Sequence, residues 1–220
     1  MFAQRYGIAG QTLSALSAPF VTVLSSNALS VSWPPVGGYS VANYEVWADN
    51  PAGATVVVTN CWWTMSNLPP SSTHSFQVAY VLTSGQRSPL SPSASGTTYG
   101  TLSWGGIPYD WMTYYFGGDA FSWPSPYADS DGDGVSNLNE FLAGTNPTNA
   151  ASVLKVQLQA TKQGPFLNWN TQPGLIYQVQ SSSNMNGWVN FGGPRFAAGT
   201  TDSMYVGGSN RGYYRVVRLR

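Results

Sequence analysis

Four acidic residues fall within one twelve-residue stretch, Asp129 to Glu140, although the whole 220-residue chain contains only nine. Like charges at this density repel one another unless a cation lies among them. Calcium takes about six to eight oxygen ligands, and a loop of this length supplies them from positions 1, 3, 5, 7, 9 and 12. The predicted ligands are the side chains of Asp129, Asp131, Asp133, Asn137 and Glu140 and the backbone carbonyl of Val135.

Gly134 occupies position 6 of this loop, where the chain must turn sharply. The stretch therefore matches the pattern D-x-[DN]-x-[DN]-G-x5-E without a gap. We predict a Ca²⁺ cofactor at these residues. The alternative is a solvated acidic turn that holds no metal.

Residues suited to catalysis are scarce elsewhere in the chain. Glu45 and Asp49 form no recognised acid–base pair, and the chain has no G-x-S-x-G, Walker, CxxC or HExxH motif. Cys61 is the only cysteine, so an internal disulfide is excluded. The sequence therefore predicts that the protein is not an enzyme.

Most of the chain reads as short β-strands separated by Pro, Gly and Asn turns. In the first half, the alternating runs are 20–24, 28–33, 44–47, 55–58, 61–65, 74–81 and 93–99. In the second half, they are 154–158, 166–169, 175–181, 188–191, 203–206 and 213–219. This pattern predicts an all-β protein with two antiparallel β-sandwich domains.

Two short helices are predicted between the sandwiches, at 109–116 and at 137–143, each followed by a glycine. In the first, Ile107, Trp111, Tyr114 and Tyr115 have the spacing of one apolar face. The predicted organisation is an N-terminal arm at 1–17, a sandwich at 18–100, a helical calcium-binding linker at 101–151 and a small sandwich at 152–220.

Residues 18–99 resemble a fibronectin type III domain. The matching residues are LSVSWPP, YEVW and the run L-x-P-x-S-x-H-x-F-x-V-x-Y at 68–80. The resemblance implies a β-sandwich with Trp33 in its core. His74 stands where this family commonly has tyrosine, which implies a structural role for the only histidine and leaves none for a Ser-His-Asp triad.

The segment 105–150, which reads GIP-x-x-W…YFG…ADSDGDGVSNLNEFLAGTNPTN, resembles EF-hand-like calcium linkers related to dockerin and thrombospondin type 3 repeats. It departs from a full EF-hand because about a dozen residues separate the first helix from Asp129. Residues 152–220 are similar to small C-terminal β-sandwich modules that follow such linkers in bacterial extracellular proteins. These resemblances imply an extracellular or cell-surface location, although no signal peptide is visible, which suggests a processed or a leaderless chain.

Charge is unevenly distributed along the chain. Residues 1–150 carry two basic and eight acidic residues, a net charge of −6, while residues 151–220 carry seven basic and one acidic, a net charge of +6. Opposite poles favour head-to-tail contacts between copies, or attraction between two domains of one copy. We expect a homo-oligomer or polymer, with neither nucleic-acid binding nor membrane insertion, because no motif for either is present.

The predicted function is a non-enzymatic, calcium-stabilised structural or adhesion protein outside the cell, such as a subunit of a surface filament. One alternative is a carbohydrate-binding module of a secreted system, with Trp62 and Trp63 as candidate glycan ligands because adjacent strand residues point to opposite faces. Another alternative is a structural protein of a virion or phage tail.

Overall fold

The computed structural model describes residues 12–49, 52–207 and 212–219. It divides into two compact units, Met1–Thr98 and Tyr99–Arg220. The predicted all-β fold class is confirmed, because antiparallel sheets dominate both units. Within the described residues, no helix is long and apolar enough to cross a membrane.

The strands of the first unit form two antiparallel sheets. Among the described residues, they are β1 (Phe20–Ser25), β2 (Ala28–Ser32), β3 (Val41–Ala48), β4 (Val56–Val58), β5 (Trp62–Ser66), β6 (Thr73–Leu82) and β7 (Ala94–Thr97). One sheet has the order β1-β2-β5 and the other β4-β3-β6-β7. This is the β-sandwich that the fibronectin type III resemblance implied.

Alternating residues of the two sheets build the first core. Leu29, Val31 and Trp33 are fully buried on one side, and Phe76 and Val78 on the other. Trp33 is thus the core tryptophan, as predicted. The predicted N-terminal arm lies outside the described residues up to position 11, whereas Leu13 is buried in this core.

The second unit begins with the predicted linker. Its elements are a small hairpin, β8 (Ser103–Trp104) and β9 (Ile107–Pro108), and the helices α1 (Tyr109–Phe116) and α2 (Asn137–Ala143). Both helices have the predicted bounds. The hairpin was not predicted, although Gly105 and Gly106 form its two-residue turn, for which consecutive glycines are a known signal.

Aromatic side chains give the linker a core of its own. Ile107, Trp111, Met112, Trp123 and Phe141 are buried together there. The predicted apolar face of α1 was wrong in one residue: Tyr114 is 81% exposed, and Met112 is buried in its place. The reason is that Phe141 of α2 packs against the Trp111 side of the helix, with the two rings 5.7 Å apart.

The remaining strands form the second sandwich. Among the described residues, they are β10 (Val156–Thr161), β11 (Gly164–Asn170), β12 (Ile176–Ser182), β13 (Val189–Asn190), β14 (Arg195–Phe196), β15 (Thr201–Tyr205) and β16 (Tyr213–Arg218). One sheet has the order β10-β11-β15, and in the other β12 pairs with β13, β14 and β16. Leu167, Trp169, Tyr177 and Val179 lie at the centre of their shared core.

The C-terminus of α2 packs against this sandwich. Gly144 ends the helix in the left-handed conformation, with φ at 77°. A Cβ placed on Gly144 would lie 2.7 Å from Nη1 of Arg218 and 2.9 Å from Cδ1 of Leu175. Linker and C-terminal sandwich are therefore in direct contact within one unit.

Candidate metal centre

The acidic loop turns tightly around the carboxylate of Asp129. Its Oδ1 accepts a hydrogen bond from the Gly132 N–H and its Oδ2 from the Gly134 N–H, each at 2.8 Å. These glycines have φ values of 82° and 91°, a region that residues with a Cβ rarely adopt. The bond from Gly134, with help from that of Gly132, holds the pKa of Asp129 below its ordinary value.

Asp131 and Asp133 each use one oxygen to shape the loop and leave the other free. Oδ1 of Asp131 accepts from the Asp133 N–H at 3.2 Å, and Oδ1 of Asp133 accepts from the Val135 N–H at 2.8 Å. Their Oδ2 atoms are buried and have no hydrogen-bond donor among the described residues. Carboxylate oxygens of Asp129, Asp131 and Asp133 lie within 4.8 Å of one another.

Helix α2 carries two further predicted ligands in its first turn. Ser136 caps the helix by accepting the Asn139 N–H, and both Asn137 and Glu140 are fully buried. Nδ2 of Asn137 donates to the Ser125 carbonyl at 2.9 Å, which leaves its Oδ1 buried without a donor. Oε1 of Glu140 accepts from the Thr145 hydroxyl at 3.2 Å, while Oε2 has no donor among the described residues.

Two backbone hydrogen bonds connect the chain segment before the loop to α2. The Asn137 N–H donates to the Ala128 carbonyl at 2.9 Å, and the Leu138 N–H donates to the Pro126 carbonyl at 2.8 Å. The structure thus holds the entry to the loop without an incoming helix. This explains how the loop keeps its shape despite the departure from a full EF-hand noted in the sequence.

The surroundings of Glu140 are unfavourable for an ionised carboxylate that has no cation beside it. Its burial, together with the nearby charges of Asp131 and Asp133, raises its pKa to about 7. Buried oxygens without hydrogen bonds are unfavourable because they lose their hydration without replacement. A hard cation among these oxygens would remove both penalties, and carboxylate and amide oxygens are the ligands that calcium takes. The residues present therefore fit a calcium ion.

Of the five predicted side-chain ligands, the structure brings the carboxylates of Asp129, Asp131 and Asp133 within 4.8 Å of one another, whereas Glu140 lies outside that cluster but is affected by the charges of all three. For Val135, the structure places the N–H on Asp133, and its carbonyl ligand stays a prediction. Asp119, in the stretch before the loop, accepts the Phe121 N–H in a turn of its own. Sequence reasoning missed Ser125 and Thr145, which orient Asn137 and Glu140. No motif in the sequence marks either residue. Ser125 acts through its backbone carbonyl, so its side chain gives no signal.

Trp62 and Trp63, the candidate glycan ligands, are both partly buried. Trp63 packs against the first core, with its ring 6.5 Å from that of Phe76. The Trp62 indole nitrogen is buried. A glycan site at these two residues stays a prediction.

A hydrogen-bonded chain of Asp49, His74 and Ser72 has the residue types of a catalytic triad. The His74 Nε2 lies 2.9 Å from the Ser72 Oγ. However, the Ser72 hydroxyl donates its proton to the Pro69 carbonyl at 2.6 Å, so it cannot also donate to the imidazole. The Ser72 N–H is bound to Thr98 Oγ1 at 3.0 Å. The serine is thus an acceptor in a structural network rather than an activated nucleophile, in agreement with the predicted structural role of His74.

No protein-family model and no curated protein matches this chain. Among solved structures, the sixth fibronectin type III domain of human fibronectin type III domain containing protein 3 is 19% identical, covering 44% of this chain and 94% of its own, with a TM-score of 0.37. The chicken CNTN1 FN1–FN3 domains are 28% identical over 40% of this chain and 31% of theirs, with a TM-score of 0.34.

A β-1,2-glucanase from Parabacteroides distasonis is also similar, at 18% identity over 41% of this chain and 14% of its own, with a TM-score of 0.34. Because all these TM-scores are low, the similarities carry no functional inference. They are likenesses in part of the chain.

Proposed function

We propose that this protein is a non-enzymatic, calcium-stabilised structural or adhesion protein that works outside the cell. One observation carries the proposal. Four buried oxygens, one each from Asp131, Asp133, Asn137 and Glu140, have no hydrogen-bond donor among the described residues. Such groups are costly in a folded protein unless a cation or an ordered water satisfies them, and here the four belong to the predicted ligands.

Calcium suits this site better than magnesium. The site offers carboxylates on a flexible loop with a glutamate at its end that can bind through both oxygens, and calcium accepts such irregular arrangements of about six to eight oxygens. Magnesium requires near-octahedral geometry and retains several waters. Extracellular modules often bind calcium at about 10⁻⁴ to 10⁻³ M, so the millimolar calcium outside cells would fill the site.

In this proposal, calcium stabilises the second unit as a whole. Neutralising the loop would fix Asn137 and Glu140 in the first turn of α2, and that helix ends at Gly144, against Leu175 and Arg218 of the sandwich. Binding to the folded form alone adds RT ln(1 + [L]/Kd), about 2.7 kcal/mol at a hundredfold excess of calcium over Kd. The metal would therefore stabilise the contact between the linker and the C-terminal sandwich.

Self-assembly by head-to-tail contacts is the second part of the proposal. It is supported by the opposite net charges of residues 1–150 and 151–220 and by a total charge of zero, which leaves little repulsion between copies. Such contacts between unlike surfaces generate filaments or rings.

The direct test is a thermal melt of the full chain in millimolar calcium and in excess chelator. We expect the chelator to lower the melting temperature and to increase hydrogen exchange in residues 99–219. An identical melt in both conditions would refute the calcium part. Electron microscopy at high protein concentration tests assembly separately, and strictly monomeric particles in calcium would refute that part.

A further inference from the structure

The β10-β11-β15 sheet has an outer face that is polar and ordered in rows. Along β11, Leu167 and Trp169 point into the core, so Phe166 and Asn168 lie on the opposite face. Strand register places Asn168 between Gln157 of β10 and Ser203 of β15. This row presents two amides and a hydroxyl, groups that both donate and accept hydrogen bonds.

The next row along the sheet contains two aromatic rings. It consists of Gln159, Phe166 and Tyr205, and the two rings meet edge to face with their centres 5.4 Å apart. The Asn168 amide donates to Oε1 of Gln159 at 3.2 Å, which orients both amides before any ligand is present. The two rows are therefore partly preorganised.

Tyr205 is 48% exposed, yet its ring has a defined position. A Cβ on Gly164 would lie 2.8 Å from Cε2 of this ring, and a Cβ on Gly207 would collide with its hydroxyl. The lack of side chains at both positions allows the ring to lie close to the backbone on either side. An exposed ring that is held in this way loses little rotamer freedom when a ligand packs on it.

Two depressions on this face share Asn168; Gln157 and Ser203 line one and Gln159 and Phe166 line the other, while the exposed Tyr205 ring lies beside Phe166 outside both. One has a volume of about 500 Å³ and reaches Lys155, and the other has about 400 Å³ and reaches Lys162. Among the described residues, no carboxylate forms an ion pair with either lysine, and Asp202 is occupied by two 2.6 Å hydrogen bonds from Arg195. Six strand residues separate the lysines, a distance on the order of 20 Å.

From this arrangement we infer that the outer face binds an acidic oligosaccharide, a sugar chain that carries carboxylate or sulfate groups. The amides and hydroxyl pair with sugar hydroxyls, the Tyr205 ring packs on a sugar face, and the two lysines bind acid groups along the chain. A single-stranded nucleic acid fits less well, because it needs successive stacking rings, whereas here the second ring stands edge-on to the first. The site lies apart from the metal loop and goes beyond the proposed function.

The test is titration calorimetry on the full chain in calcium buffer. The probes are hexamers of galacturonate, guluronate and sulfated galactose, their neutral counterparts, and oligo-deoxythymidine. We expect at least one acidic hexamer to bind. Asn168→Ala and Tyr205→Ala should each weaken this binding by about tenfold or more, and Lys155→Gln should weaken it for the acidic hexamer only.

Matched variants keep the test decisive. Asn186→Ala removes an exposed amide outside the face and should leave binding unchanged, and Tyr205→Phe keeps the ring in case Tyr205→Ala fails to fold. Failure of every acidic hexamer to bind would overturn the inference. So would equal binding by wild type and Asn168→Ala, tighter binding of neutral hexamers, or tighter binding of the oligonucleotide.

Discussion

The imidazole of His74 lies 2.7 Å from the carboxylate of Asp49, between its Nδ1 and the Asp49 Oδ2. The other carboxylate oxygen accepts the Ser75 N–H at 2.9 Å. Asp49 itself has a positive φ of 56°, unusual for a residue with a Cβ. The other ring nitrogen, Nε2, lies 2.9 Å from the Ser72 Oγ, whose hydroxyl donates to the Pro69 carbonyl. The pair therefore stabilises a strained backbone position.

Lowering the pH should weaken the interaction between Asp49 and His74. Burial alone would raise the pKa of Asp49, but the hydrogen bonds from His74 and Ser75 together lower it below its ordinary value of 3.8. A lowered pKa contributes stability above pH 3.8, and this stability is lost as the pH falls through the folded-state pKa. Carbon-detected NMR titration of the Asp49 carboxyl should give a midpoint below 3.8 in wild type and a higher one in His74→Phe. Equal midpoints would contradict the assignment.

Calcium affinity should depend on Asn137 and not on its neighbour on the same helix. Asn137→Ala removes a buried oxygen that has no hydrogen-bond donor among the described residues, whereas Asn139 is exposed and only its backbone N–H is used by the cap. We expect Asn137→Ala to weaken binding by about tenfold or more and Asn139→Ala to leave it unchanged. Competition against a fluorescent chelator measures both, and equal affinities for the two variants would count against Asn137 as a ligand.

Glu140→Gln should have opposite effects with and without the metal. At pH 8 without calcium, it removes a buried charge whose pKa is raised by burial and by Asp131 and Asp133, so the variant should melt above wild type. With millimolar calcium the order should reverse, because a bidentate ligand is lost. Melting curves in chelator and in calcium provide the check. The same order in both conditions would exclude Glu140 as a ligand.

Gly144→Ala should loosen the contact between linker and sandwich. The substitution costs about 1–2 kcal/mol for the left-handed backbone and about 1–3 kcal/mol for crowding against Leu175 and Arg218. Gly38→Ala is the control, since its φ of 79° is similar but nothing lies within 4 Å of its added Cβ. Hydrogen exchange in residues 99–219 should rise clearly for Gly144→Ala. A change no larger than that seen around Gly38 would contradict the contact.

The second core should depend strongly on Trp169, which is 2% exposed. Truncating such a ring leaves a cavity, and Trp169→Ala should cost about 3–5 kcal/mol. Leu158→Ala, on the same sheet but 63% exposed, should change the free energy of unfolding by less than about 0.5 kcal/mol. Denaturant unfolding followed by hydrogen exchange separates the two units, and similar costs for the two variants would place Trp169 outside the core.

Local spacing accounts for most of what could be predicted. Helix α1 follows Pro108 and ends at Gly117, and α2 is capped by Ser136 and ends at Gly144, so each signal lies within one or two turns of the element it bounds. Most strands follow from alternation, with ends that shift by a few residues, whereas the two-residue strands β8, β9 and β14 were not predicted. The metal loop is equally local, because its twelve positions determine which oxygens can meet.

Contacts between residues far apart in the chain could not be predicted and became evident only in the tertiary structure. Ser125 orients Asn137 through a carbonyl twelve residues away, and Asp49, just beyond the end of β3, meets His74 of β6 across 25 positions of sequence. The row from Gln157 through Asn168 exists only because β10 and β11 pair in one register. By itself, the sequence determined the class of fold, the two helices and the composition of the acidic loop, since these depend on near neighbours. Only the tertiary structure decided which oxygens are buried without donors and which surface is ordered, because burial and register depend on pairing between distant segments.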